Sequence, residues 1–316
     1  MFFLSAGVCA LAATCANAQP ANDSCSKPEA ISGFGTFDYD SSFATTDGFS
    51  NAACEQYAGD FDIANDLWYC WTATATGPVV LSTCGVNTLD TKIAVYSGCT
   101  PCPEAGGILA CNDDACDVQS SVAFSAVAGQ SYLLRIGTWI GAFGGPGSFT
   151  VGSGIVRGPV VGPNGHSYYL LAPSTWSGGE AMAVGLGGHL ATINNAEENG
   201  WIRGNVATAD GVNADDAWIG LNDIKSEGTY VWISGETSDY TNWGGGEPND
   251  AGGIEDVAQF RTDGRWNDNS DGPFRVFYSI AEVPGGEPPC SADFNDDGVT
   301  NSQDFFDFLT AFFSCP

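Results

Sequence analysis

The residues best suited to chemistry lie in one acidic stretch. Between Asp223 and Asp268 the chain passes through Glu227, Glu247-Pro248-Asn249-Asp250, Glu255-Asp256 and Trp266-Asn267-Asp268. Its acids far outnumber its bases, Lys225, Arg261 and Arg265. Several of the acids stand beside Gly, Pro or Asn, where a loop can turn them inward. A calcium ion takes roughly six to eight oxygens from carboxylates, side-chain amides and carbonyls, and this stretch supplies that mixture. It offers neither imidazole nor thiolate, which turns the reading away from transition metals. Composition alone leaves a solvated acidic loop open as the alternative.

A second ladder of oxygen donors lies near the C-terminus. Asp293, Asn295, Asp297, Val299 through its carbonyl, Asn301 and Asp304 fall on the ligand positions of a calcium loop, with Gly298 at the sharp turn. The closing residue is Asp instead of Glu, as in dockerin repeats, which this tail resembles. Phe305, Phe308, Leu309 and Phe312 follow at helical spacing. Dockerins usually carry two such repeats and bind a cohesin; here there is one, read as closed by Cys290 and Cys315. Residues 290–316 are therefore expected to form a small EF-hand-like tether that docks on a surface anchoring protein, or a cap that packs on its neighbours.

The acidic stretch needs a frame. Trp176 and Ala181 lead into Gly187-Gly188-His189-Leu190-Ala191-Thr192-Ile193, an apolar helical stretch followed by a strand. Trp218-Ile219-Gly220-Leu221, Trp232 and Trp243 come next. With Glu247-Pro248-Asn249 and Trp266-Asn267-Asp268, these strings in this order resemble a C-type lectin domain over residues 163–283. Glu255 falls eight residues after Glu247, the spacing of two calcium ligands in mannose-type members. The resemblance implies an α+β lectin fold and names Glu247, Asn249, Glu255, Asn267 and Asp268 as ligands of a sugar-binding calcium. Pro248 matches the family's cis-proline, which turns both flanking side chains toward the ion. An auxiliary calcium would take Asp223, Glu227, Asp250, Glu255 and Asp256. In the implied mechanism calcium accepts two neighbouring sugar hydroxyls, which also bond to carboxylates and amides such as Glu247 and Asn249. In this family Glu-Pro-Asn goes with mannose, glucose, N-acetylglucosamine or fucose, and Gln-Pro-Asp with galactose.

One departure stands out. The family normally has two disulfides, whereas residues 153–289 hold no cysteine. Ala183 and Ala281 fall where one pair would be, and Val257 and Asp271 where the other would be. Losing a native disulfide typically costs about 2–5 kcal/mol, so packing or bound calcium must compensate.

The rest of the chain sets the context. Its 316 residues carry 38 Asp and Glu against 9 Lys and Arg, a net charge of -29. That excludes nucleic acid and an anionic membrane surface as main partners. With His166 and His189 the only histidines, a three-histidine zinc site is excluded as well. Residues 1–18 are uncharged, mostly apolar and end in Ala16-Asn17-Ala18, the pattern of a signal-peptidase site, so a secreted or cell-surface protein is expected. No apolar run reaches membrane-spanning length.

Cysteines divide the remainder. Residues 19–152 hold Cys25, Cys54, Cys70, Cys84, Cys99, Cys102, Cys111 and Cys116, read as disulfides in preference to a zinc site, with their pairing open. Leu67, Tyr69 and Trp71 alternate with Trp68, Cys70 and Thr72, and Tyr132, Leu134 and Ile136 repeat the pattern, as in a jelly-roll-like β-sandwich. Asp113 and Asp114 are read as a solvated turn, with calcium as the alternative. Gly and Pro clusters mark linkers at 153–162 and 284–289.

The fold expected is mainly β with α+β: a sandwich, a lectin domain, then the small calcium loop. His189 is read as packed or capping, and Trp218, Trp232 and Trp243 as core. No nucleophile elbow, P-loop or His-Glu-x-x-His occurs. A carboxylate pair for glycoside hydrolysis is a matter of separation, which sequence does not give. The expected function is non-enzymatic, calcium-dependent glycan binding. The rival is a surface adhesion or scaffold protein whose lectin fold binds protein.

Overall fold

The computed structural model describes residues 18–54, 59–103, 107–208, 214, 216–272 and 275–285. All but the last residue of the expected signal segment 1–18 lies outside the described residues, as do Asp293, Asn295, Asp297, Val299, Asn301 and Asp304 of the expected calcium loop, Cys290 and Cys315.

Short runs of alternating apolar and polar residues give nine strands in the first half. They are β1 (Glu29–Ser32), β2 (Gly35–Asp40), β3 (Ala64–Thr72), β4 (Gly77–Ser82) and β5 (Thr91–Ser97). β6 (Ile108–Asn112), β7 (Ser121–Ala126), β8 (Ser131–Thr138) and β9 (Pro146–Ser153) follow. One sheet has the order β1-β3-β8-β5-β6 and the other β2-β9-β4-β7. Leu67, Tyr69 and Trp71 of β3 point into a core shared with Ile93, Val95, Leu134 and Ile136 of their own sheet and Val79, Leu81, Phe124 and Phe149 of the other. Because side chains alternate along a strand, Trp68 faces away and packs with Cys54, Ile63, Ala94, Tyr96 and Leu133. That explains why β3 is apolar on both faces.

The cysteines pair as Cys25–Cys102, Cys54–Cys111, Cys70–Cys99 and Cys84–Cys116. Each bond joins residues far apart in sequence, so neither close-spaced cysteine pair closes on itself and none of the four is available to zinc.

The second half adds β10 (Ile155–Val161), β11 (Ser167–Ser174), α1 (Trp176–Gly185), β12 (His189–Leu190) and α2 (Ala196–Ile202). Then come β13 (Asp216–Asn222), β14 (Val231–Trp232), β15 (Val257–Arg261), β16 (Trp266–Asn269) and β17 (Phe277–Val283). The sheet runs β10-β11-β17-β13-β15-β16, with β12 on β17 and β14 on β13. Residues 153–162, read from Gly and Pro as a linker, are mostly β10, which pairs antiparallel with β11. A cis Gly158–Pro159 bond and shifts of register accommodate the proline in this edge strand. Only Gly154 separates β9 from β10. Its N–H donates to Pro78 O at 2.9 Å, its carbonyl accepts from Ala172 N at 2.8 Å, and a Cβ there would meet Pro78 Cβ at 2.8 Å.

α1 joins the two halves. Thr175 caps it by accepting from Gly178 N at 3.1 Å, and the Asp271 carboxylate accepts from Ser177 N at 3.2 and 3.3 Å. Met182 and Ala183 pack with Leu171, Ala172, Ala281 and, from β7, Ala123, with Val80 and Leu186 at the edge. Ala183 and Ala281, where the resemblance places one disulfide, thus meet in a shared apolar cluster. Val257, from the other missing pair, is buried with Trp176, Leu190 and Trp218, while Asp271 caps the helix.

Candidate functional site

The loop between β14 and β15 and the strand β16 build the site. Trp266 anchors them: its N–H donates to Asn242 O at 2.9 Å and its carbonyl accepts from Gly244 N at 2.8 Å. Its ring is fully buried against Trp232, Tyr240 and Trp243, and its indole N–H donates to Asn199 Oδ1 at 2.9 Å. The chain then passes through a cis Glu247–Pro248 bond. Asp268, fully buried, receives the loop that follows. Its carboxylate accepts from Asn249 N at 2.9 Å and Asp250 N at 2.7 Å. Asp250 adopts φ 44, a left-handed conformation that Asp tolerates better than most residues. This grip leaves Glu247 and Asn249 side by side, with Asn249 Nδ2 donating to Glu247 Oε2.

Glu255 lies on the same loop. Its Oε2 accepts from Ala251 N at 2.9 Å and its N–H donates to Asp250 Oδ1 at 3.3 Å. Asn267 donates to the Asp268 carbonyl and to Gln259 Oε1, the latter at 3.3 Å. Gln259 also accepts from Asn269 Nδ2 at 3.2 Å. Among the five residues expected to hold the sugar-binding calcium, the direct side-chain contact is therefore Glu247 with Asn249, while Asp268 holds backbone and Asn267 is turned toward Gln259. Gln259 escapes sequence reading because Val257-Ala258-Gln259-Phe260 reads as a plain core strand; the polar residue inside it is the signal.

The auxiliary group is partly assembled. Asp223, Glu227 and Asp256 each place an oxygen within 4.8 Å of the others. Asp223 is buried, its Oδ2 accepts from Gly228 N at 2.8 Å, and its Oδ1 has no hydrogen-bond partner. Desolvation by its neighbours, together with the charges of Asp223, Asp250 and Asp256, holds the exposed Glu227 carboxyl above the usual range. Burial and the fields of Asp223, Asp268, Glu227 and Asp250 likewise raise the neighbouring Tyr230 phenol. Asp250 thus stands close enough to act on the trio, whereas Glu255 meets the group through its backbone bond to Asp250. Crowded carboxylates around a bare buried oxygen suit a hard cation.

Other singled-out residues serve the frame. His189 Nδ1 lies 2.6 Å from Glu180 Oε1. Trp218 is fully buried, Trp232 is 5% exposed, and Trp243 packs against the core. Among the described residues no helix is long and apolar enough to cross a membrane.

Residues 172–275 match the family model described as the lectin C-type domain. Perlucin of Haliotis laevigata is 43% identical over 86 residues, covering 26% of this chain and 54% of perlucin. Ladderlectin of Oncorhynchus mykiss is 34% identical over 125 residues, covering 38% of this chain and 65% of its own. The low affinity immunoglobulin epsilon Fc receptor of Mus musculus is 34% identical over 101 residues, 32% of this chain and 29% of the receptor. The chain spans under two thirds of the length of each of these curated relatives.

Proposed function

From a C-type lectin domain at residues 172–275, we propose that the protein binds glycans in a calcium-dependent way, with a preference for mannose, glucose, N-acetylglucosamine or fucose. The observation that carries this reading is the pairing of Glu247 with Asn249, presented by the grip of Asp268 on the loop backbone. Glu247, Asn249, Glu255, Asn267 and Asp268 would hold one calcium, and Asp223, Glu227, Asp250, Glu255 and Asp256 an auxiliary one; the unpartnered Asp223 oxygen supports the fit. A bound calcium ion would offer coordination positions to a pair of sugar hydroxyls. The chain's own part is hydrogen bonding: the Glu247 carboxylate accepts from a hydroxyl and the Asn249 amide donates to it. Those two side chains already satisfy each other, so a sugar must replace that contact. Bonds to charged groups contribute about 1.5–3 kcal/mol, and the exchange returns only part of it, so single-site affinity should be weak and useful mainly in multivalent display.

Export fits the four disulfides, which persist in oxidising compartments. Tethering through residues 290–316, by their dockerin-like loop, completes the proposal.

Retention on mannose-coated beads tests it. The mature chain should bind in calcium, elute with chelator, and lose mannose preference in favour of galactose in the Glu247→Gln/Asn249→Asp variant. A second reading, protein adhesion, draws on the mouse relative, whose name is that of an immunoglobulin receptor. Calcium uptake in calorimetry with no competition by any monosaccharide would select that reading and overturn the first.

A further inference from the structure

A separate acidic group lies at one end of the five-stranded sheet, in the first half of the chain. Asp90 immediately precedes β5, and Asp113 and Asp114 follow its neighbour β6. The expected solvated turn is not what forms: Asp113 is only 2% exposed. Ser120 Oγ donates to the Asp113 carbonyl, and the Cys84–Cys116 disulfide pins the turn two residues beyond Asp114. Trp139 N donates to the Asp90 carbonyl at 3.2 Å.

Lys92 is fully buried within β5, among residues that are otherwise mainly apolar. Its ammonium has three N–H groups. The nitrogen donates to Asp60 O at 3.0 Å and lies 3.0 Å from Asp60 Oδ2 and 3.4 Å from Asp113 Oδ2. Neither carboxylate contact is a hydrogen bond: both oxygens of Asp60 and both of Asp113 are buried without a hydrogen-bond partner. Asp60, Asp90, Asp113 and Asp114 gather close enough to Lys92 and to one another to act on each other's charge. Burial, opposed by Lys92 and reinforced by Asp114 and Asp60, pushes the Asp113 carboxyl up to about 6. Burial with the charges of Asp114 and Asp60 raises Asp90 too.

Asp90, Asp113 and Asp114 each place an oxygen within 4.8 Å of the others, and with Trp139 they line a cavity of about 230 Å³. Two oxygens on one calcium, each about 2.4 Å from it, lie no more than about 4.8 Å apart. A cluster of carboxylate oxygens selects a hard ion. We propose that Asp90, Asp113 and Asp114 form a calcium site of the N-terminal module, independent of the lectin-type loop. The ion takes a bare Asp113 oxygen and leaves Lys92 as the internal counter-charge for Asp60.

The test is calcium stoichiometry of the full mature chain by equilibrium dialysis, beside an Asp90→Asn/Asp113→Asn variant. The variant is expected to bind one calcium fewer while keeping its mannose-bead behaviour. Equal stoichiometry overturns the site. As misfolding could mimic the loss, the partly exposed Asp114→Asn supplies a second readout. Terbium, a calcium substitute excited through Trp139, should bind this variant at least about tenfold more weakly. Its melting temperature in chelator should match wild type. Undiminished terbium affinity, or a melting temperature that falls equally with and without calcium, means a purely structural ion-pair cluster and sinks the proposal.

Discussion

Asp268 grips the loop backbone directly. The resemblance assigns it only to an ion, but its fully buried carboxylate also accepts from the backbone of Asn249 and Asp250. Asp268→Ala removes both charged acceptors and leaves two N–H groups facing a void. The expected loss is on the order of 3 kcal/mol in denaturant titrations, together with loss of sugar retention. Glu247→Gln, on a half-buried side chain, should abolish retention while shifting stability by no more than about 0.5 kcal/mol. Equal stability losses in the two variants would show that Asp268 is a ligand and nothing more. Glu247, Asn249 and Asp268 were legible because they sit in short strings of fixed order. Gln259 and the Asp60–Asp90–Lys92 group were not, since each is an isolated polar residue whose partners arrive from other strands.

At the scale of elements, α1 is the piece that packs against both halves. Met182 is fully buried where the helix meets β11, β17 and β7. Met182→Ala opens a cavity costing about 2–5 kcal/mol. Because the site lies between the two sheet systems, calorimetry should show their unfolding separate into two transitions in the variant; a single transition shifted downward would place the damage inside one half only. The alternation of Leu67, Tyr69 and Trp71 made β3 readable, and Trp176 with Ala181 gave away the helix. β10 was hidden because Gly158 and Pro159 are turn formers, and only the pairing partner β11 makes a strand of them. Disulfide pairing was equally hidden, being decided by which strands become neighbours. The meeting of Ala183 with Ala123 across the halves has no signature in local sequence at all.

The whole molecule carries a net charge of -29, and the carboxylates at Asp223, Glu227 and Asp256, and at Asp90, Asp113 and Asp114, concentrate part of it. In chelator the melting temperature should therefore climb as sodium chloride shortens the screening length from about 30 Å at 0.01 M to about 8 Å at 0.15 M. Millimolar calcium should raise it further than sodium chloride of equal ionic strength. A flat salt profile would show that the charge is too dispersed to strain the fold. Covalent cross-links among the described residues all fall before residue 153, so reductant should act on the first half, whereas chelator should loosen both.

The junction at Gly154 bears on how the molecule behaves under load. A joint one residue long, bonded on both sides and too tight for a side chain, has no slack to unwind. The two halves then turn as a single lever. Under the proposed function, a pull on a glycan bound near Glu247 would be delivered to the disulfide-laced sheets with its direction preserved, where a flexible string of beads would let it dissipate.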